Sequence, residues 1–154
     1  MSDGNSGFYL VGGTLNGAPQ HTRYFPRSTC VSGCAGETIS GADIPVALTN
    51  VSAYQLAVAT PCATTLSLAN VKATGRILVV GEGAAGTQSF IITLPVMSSS
   101  MTVPATVTAV PLREPRRGAT AIPVPIGAPL GAFAILGGEH LDGGPAQSVE
   151  LFTP

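Results

Sequence analysis

The sequence has little charge, a single lysine (Lys72) and no tryptophan. Charged residues make up 10% of its 154 residues, against about 25% in an average soluble domain. Because a well-charged surface normally keeps a free monomer from associating, this composition favours a chain that works inside an assembly. The alternative is an ordinary β-domain with a neutral polar face. A formal net charge of −1 argues against nucleic acid as a partner, since nucleic-acid binding needs a basic face.

Long apolar runs are also missing. The sequence has no stretch of 18 or more apolar residues, so no membrane-spanning helix is expected. Residues 1–6 contain neither a basic segment nor an apolar one, which predicts no signal peptide, synthesis in a cytoplasm and no membrane partner. With no Trp and three Tyr, platforms for stacking sugars are few, which disfavours carbohydrate binding.

Cysteine is scarce as well, with Cys30, Cys34 and Cys62 forming an odd set. A structural zinc site usually has four ligands at tighter paired spacing. We therefore predict reduced structural thiols, with no bound metal and no obligatory disulfide.

One motif suggests enzyme chemistry. Gly81-x-Gly83-x-x-Gly86 follows an apolar run and matches the dinucleotide-binding fingerprint. That fingerprint requires a following helix, whose N-terminus holds the pyrophosphate. Residues 89–94 are instead rich in β-branched and aromatic side chains, which favour a strand. We therefore predict a β-hairpin with a glycine-rich connection, and no nucleotide or other cofactor.

The rest of the chain consists of short β-prone runs separated by Gly, Pro and Asn. The clearest runs are residues 8–11, 44–48, 54–58, 65–71, 101–110, 122–126, 133–136 and 148–152. Proline within residues 101–110 predicts an edge strand or a bulge, and the prolines of residues 122–126 predict that this strand lies at a sheet edge. About 8–10 short strands with turn signals between them predict an all-β fold, a jelly roll or a related sandwich or barrel.

The first part of the chain is less regular. We predict an irregular N-terminal arm or long loop over residues 1–36 and a single β-domain over residues 37–154. The aromatic and arginine side chains of the arm are typical of interface anchors. The predicted contact residues there are Arg23, Tyr24, Phe25 and Arg27. We predict that the arm makes intermolecular contacts, so that deleting residues 1–36 leaves a folded β-domain. The alternative is an arm folded onto its own domain.

A second group of candidate contact residues lies in a Pro/Gly turn, at Arg113, Arg116 and Arg117. Arginine pairs with carboxylates through two parallel hydrogen bonds, so this turn is predicted to meet an acidic patch on a protein partner. Phosphate contact and simple solvation of the loop are the alternatives.

The motif Glu139-His140-x-Asp142 lies in a glycine-rich loop. These side chains could ligate a metal or form an acid–base pair. A solvated polar loop is the simpler interpretation, because two or three ligand types in one loop are a weak signal. Without any recognised catalytic motif, we predict no enzymatic activity and no catalytic, cofactor-binding or metal-binding residue.

In composition the chain resembles the small decoration, or cement, proteins of tailed-phage heads. The features shared are the Ala/Gly/Thr/Pro-rich β-runs of residues 44–152, the near absence of lysine, the missing signal peptide and the irregular arm. The resemblance implies a structural virion protein on the capsid surface, assembled in the host cytoplasm. It would be a dimer or trimer that binds the major capsid protein and reinforces capsomer contacts. The alternatives are another virion component (a head fibre, a tail part or a jelly-roll shell protein) and a non-viral ligand- or carbohydrate-binding β-domain.

Overall fold

A computed structural model describes residues 8–25, 37–38, 41–59, 71–94, 97–98, 101–102, 105–124 and 132–153. These residues form antiparallel β-structure throughout and contain no helix. The predicted all-β fold class is therefore confirmed. Within the same residues, no helix is long and apolar enough to cross a membrane.

Sixteen strands occur in the described residues. They are β1 (Phe8–Leu10), β2 (Thr14–Leu15), β3 (Ala18–Pro19), β4 (Arg23–Phe25), β5 (Glu37–Thr38), β6 (Thr49–Ala59), β7 (Val71–Gly83), β8 (Gly86–Thr93), β9 (Met97–Ser98), β10 (Met101–Thr102), β11 (Thr106–Ala109), β12 (Arg116–Arg117), β13 (Thr120–Val124), β14 (Ala132–Leu136), β15 (Glu139–His140) and β16 (Glu150–Phe152). The larger sheets have the orders β11-β8-β7-β6, β13-β14-β16 and β1-β4-β5, and the remaining strands pair as β2-β3, β9-β10 and β12-β15.

The four-stranded sheet is the centre of the molecule. Its strand β7 contains the consecutive residues Ile77, Leu78, Val79 and Val80, all of which are buried. Successive side chains of a strand point to opposite faces, so a run of buried residues means that both faces of this sheet are covered.

One face is covered by the peptide of residues 42–48. Its Ile44 and Leu48 pack with Ile77, Val79 and other buried residues in one hydrophobic cluster. We expected a strand at residues 44–48, but this peptide makes no strand and β6 begins at Thr49. The apolar residues of this segment pack on the sheet although the chain bends at Pro45 and Val46.

The other face is covered by the sheet β13-β14-β16. Ala121, Phe133 and Ile135 pack there against a second cluster that includes Leu78. The ring centroids of Tyr54 and Phe133 lie 4.9 Å apart, and the Tyr54 hydroxyl donates a hydrogen bond to the Ala121 carbonyl. Two sheets packed face to face give a sandwich-like arrangement, and β13 lies at a sheet edge, as its proline predicted. The specific jelly-roll connectivity stays a prediction.

The predicted glycine-rich hairpin is confirmed. Strands β7 and β8 pair in register up to Gly83 opposite Gly86. Close packing explains the glycines of the motif. A Cβ at Gly81 would lie 3.1 Å from the Cβ of Leu48, and one at Gly86 would lie 2.5 Å from the Arg116 carbonyl oxygen.

The described part of the predicted arm belongs to the domain. Strand β4 pairs with β5 across the predicted boundary between residues 36 and 37. Thr22 is fully buried and its hydroxyl donates to the Ala42 carbonyl at 2.7 Å, while Val11 packs on the first cluster. Residues 8–25 therefore fit the alternative of an arm folded onto its own domain.

Two further predicted strands and the three cysteines remain to be placed against the structure. The predicted strand at residues 101–110 contains two separate strands, β10 and β11. The predicted strand at residues 65–71 lies outside the described residues except for Val71, which begins β7. Cys30, Cys34 and Cys62 all lie outside them.

Candidate functional site

The turn of residues 113–118 is fixed at both of its ends. At its start, the backbone N–H groups of Arg113 and Glu114 donate to the Glu150 carboxylate at 2.8 and 3.0 Å. At its end, the Gly118 N–H donates to Glu82 Oε2 at 3.1 Å. Charge-assisted hydrogen bonds of this kind are stronger than neutral ones. The turn is therefore pre-organised by carboxylates from two different strands.

Arg116 anchors the middle of the turn from within. Its side chain has no exposed surface. Nη2 lies 2.7 Å from Glu114 Oε2 and 3.3 Å from Glu150 Oε1, while Nη1 donates to the Ser148 carbonyl at 2.8 Å. Nε donates to the Glu114 carbonyl at 3.2 Å, and Nη1 also reaches the Gly137 carbonyl at 3.4 Å. A buried charge is tolerated when it is paired and hydrogen-bonded in this way.

Glu114 extends this network toward the surface. Its Oε1 lies 3.0 Å from His140 Nε2, and its Oε2 accepts from the Ser148 hydroxyl as well as from Arg116. His140 is partly exposed at 37% of its side chain. Ser148 donates a hydrogen bond to the Glu114 carboxylate, and His140 contacts that same carboxylate. The arrangement therefore lacks the serine–histidine hydrogen bond that nucleophilic catalysis needs.

Glu82 holds the other side of the turn to the glycine hairpin. Its Oε2 accepts from the Thr87 hydroxyl at 2.9 Å, in addition to the Gly118 N–H. The Ala119 N–H donates in turn to Thr87 Oγ1 at 3.1 Å. The hairpin that we predicted from the glycine motif thus supports the arginine turn.

Along the turn, exposed residues alternate with buried or partly buried ones. Arg113, Pro115 and Arg117 are exposed, whereas Glu114 is partly buried and Arg116 is fully buried. The prediction that Arg116 contacts a partner is therefore wrong, because this side chain has no exposed surface and is paired with two carboxylates inside the fold. Arg113 and Arg117 are placed where a partner can reach them, and their role in contact stays a prediction.

The contact residues predicted in the arm lie in a different sheet. Arg23 is partly buried in β4, where it is opposite Leu10 on one side and Thr38 on the other. Tyr24 and Phe25 follow in the same strand, with only their backbone described. Arg27 lies outside the described residues. Among the described residues, Arg23 and Arg117 belong to strands of different sheets.

The acidic and histidine loop does not form a ligand cluster. Glu139 and His140 make up β15, which pairs with β12, and Asp142 lies exposed in the turn that follows. Among the described residues, no group of three His, Cys, Asp or Glu side chains is placed to hold a metal ion. His140 instead contacts Glu114, a partner from a distant part of the sequence.

Sequence reasoning missed two features of this region. The first is the convergence of Glu150 and Ser148 on Arg116, which lie 34 and 32 residues from it along the chain. The only available signal was the spacing of Ser148 and Glu150, which puts them on the same side of an extended chain. The second is a group of exposed apolar side chains on the second sheet, including Ile122 and Leu151.

The described site is thus a turn that carboxylates fix at both ends and that bears the exposed Arg113 and Arg117 among several acidic side chains. Comparisons with models of protein families, with curated proteins and with solved structures find no match to this chain.

Proposed function

We propose that this chain is a structural virion subunit, a decoration or cement protein that binds the outside of an icosahedral head. The observation that carries the proposal is the pre-organised turn that displays Arg113 and Arg117. Holding both ends of the turn by carboxylates lowers the entropy lost on binding, because the backbone is ordered before the partner arrives. Exposed arginines on a chain with 10% charged residues then supply register against acidic groups of a shell.

Contacts of this kind need not be individually strong. Many copies on one shell raise the effective concentration of each contact, so modest interfaces combine into a stable coat. Apolar burial supplies most of the energy at about 25 cal/mol per Å².

The test is co-sedimentation of purified protein with heads that lack it, at several salt concentrations. We expect the double variant Arg113→Gln with Arg117→Gln to bind about tenfold more weakly at physiological salt, with a reduced salt dependence. The matched control is Thr106→Glu with Thr108→Glu, which makes the same change in net charge at exposed positions of β11. Protein that never sediments with heads, at any salt, contradicts the proposal, as does equal binding by both double variants.

A further inference from the structure

A small cleft opens beside the start of the arginine turn. It lies between the peptide of residues 110–113 and strands β14 and β16 of the second sheet, and its volume is about 140 Å³. A cavity of about 150 Å³ with apolar walls holds one benzene molecule. The cleft therefore has room for one branched or aromatic side chain.

The cleft is apolar inside and charged at its opening. Its walls include four apolar residues that belong to the second cluster or pack against it: Val110, Leu112, Ile135 and Phe152. The buried Ser89 marks the inner end, whereas the exposed Pro111 and Arg113 mark the opening. The Ser89 hydroxyl donates to the Val110 carbonyl, so this polar group has its partner within the fold. An occupant would bury an apolar side chain here and keep its polar groups near Arg113.

Arg113 is the positive charge at this opening. Within the described residues, its backbone N–H donates to Glu150, but its side chain makes no hydrogen bond or ion pair. Glu150 also lines the cleft, but its Oε2 accepts from that N–H and its Oε1 accepts from Glu114 and Arg116. The guanidinium of Arg113 is thus open to a carboxylate of a partner, whereas Glu150 is occupied by donors of the turn.

We propose that the cleft and Arg113 form one docking site for a protein segment that carries an apolar side chain beside a carboxylate. The apolar side chain fills the cleft, and the carboxylate accepts two parallel hydrogen bonds from the guanidinium. An anchor in a pocket next to an arginine is a frequent composition of the strongest contacts in protein interfaces. The inference rests on the proposed function only in placing this segment on the shell.

The two exposed arginines of the turn then have different roles. Arg117 does not line this cleft; it lines a separate groove together with Glu82 and Glu139. Two carboxylates of the same chain are therefore its neighbours, and no apolar pocket is beside it. The anchor of the segment is assigned to the cleft at Arg113, and Arg117 serves as the internal control.

The test is a titration of the purified, isotope-labelled protein with three capped dipeptides, followed by nuclear magnetic resonance. Acetyl-leucyl-aspartyl amide has both parts of the expected segment. Acetyl-leucyl-asparaginyl amide lacks only the charge, and acetyl-glycyl-aspartyl amide lacks only the apolar side chain. We expect the first peptide to bind with a dissociation constant of about 1 mM and to shift the amide signals of Ser89, Leu112 and Ile135. The asparagine peptide should bind about fivefold more weakly, and the glycine peptide about tenfold more weakly.

The variant Arg113→Gln separates the two parts of the site. In this variant the aspartyl and asparaginyl peptides should bind equally, while the preference for leucine over glycine remains because the cleft is unchanged. The matched control is Arg117→Gln, which makes the same change of charge in the same turn and should keep both preferences. Equal weakening of all three peptides by Arg113→Gln would contradict a carboxylate contact, since it indicates a structural effect.

Three further results overturn the inference. They are no saturable shift with the aspartyl peptide up to about 10 mM, shifts that map away from the cleft, and a preference for the carboxylate that survives Arg113→Gln. If the peptides bind as expected but the protein never sediments with heads, the proposed function is wrong and the docking site stands. If the protein coats heads but the peptides do not bind, the docking site is wrong and the proposed function stands on other contacts.

Discussion

Arg116 is the residue on which the arginine turn depends. Replacement by Met keeps much of the side-chain volume but leaves Glu114 and Glu150 close together without their counterion. Removing one partner of a buried ion pair costs about 3–5 kcal/mol. We expect Arg116→Met to lower the free energy of unfolding by that order, measured by urea denaturation.

The control is Arg117→Met, at an exposed neighbour, where a surface change is expected to stay within about 0.5 kcal/mol. The assignment to uncompensated charge has its own check. Adding Glu114→Gln to Arg116→Met should recover part of the loss, since it removes one of the two facing carboxylates. A cost for Arg116→Met no larger than that for Arg117→Met would contradict the buried network.

Gly86 is a second residue with a defined requirement. Its φ is +101°, and a Cβ there would lie 2.5 Å from the Arg116 carbonyl oxygen. Gly143 has nearly the same φ of +97° but nothing within 4 Å of its Cβ position. We expect Gly143→Ala to cost about 1–2 kcal/mol from backbone strain alone, and Gly86→Ala to cost clearly more because of the added clash. Equal melting-temperature changes for the two variants would show that the close approach to Arg116 is unimportant.

At the scale of elements, residues 8–25 contact the rest of the domain through packing and hydrogen bonds. Starting the chain at residue 37 removes Val11 from the first cluster and the Thr22 hydrogen bond from the Ala42 carbonyl. A lost apolar side chain and a lost buried hydrogen bond together cost roughly 2–4 kcal/mol. We expect this truncation to be less stable to urea by at least that order. A fully stable chain from residue 37 would restore the original view of a separable arm.

Elements defined by local chemistry were predictable from the sequence. The hairpin of β7 and β8 follows from glycines between two β-branched runs, and the edge position of β13 follows from a proline that cannot donate to a neighbour. Residues 44–48 were wrongly predicted as a strand. Ile44 and Leu48 are buried against the sheet from a bent segment, so they look like the apolar residues of a strand although the segment forms none.

The site was less predictable than the fold for a related reason. Two arginines beside a proline and a glycine indicate an exposed turn, and this holds for Arg117 but not for Arg116. The burial of Arg116 depends on Ser148 and Glu150, which only the closed sheet brings to it. The placement of the exposed Ile122 and Leu151 is also a product of register, because both lie opposite Ala134 of β14.

At the scale of the whole molecule, the central sheet joins two hydrophobic clusters into one structure. Strand β7 contributes Ile77 to the first cluster and the adjacent Leu78 to the second. Neither face can be exposed without disturbing the strand that both share. We therefore expect a single cooperative unfolding transition, as in most single domains of this size.

This cooperativity can be tested with one substitution on each side of the central sheet. Leu48→Ala opens the first cluster at an expected cost of about 2–5 kcal/mol, and Phe133→Leu disturbs the second. The two clusters lie on opposite faces, so the free-energy changes should add within about 0.5 kcal/mol in the double variant. Each variant should shift the whole transition, with far-ultraviolet and near-ultraviolet circular dichroism giving the same midpoint. If Phe133→Leu instead produces a separate early transition, the sheet β13-β14-β16 unfolds by itself.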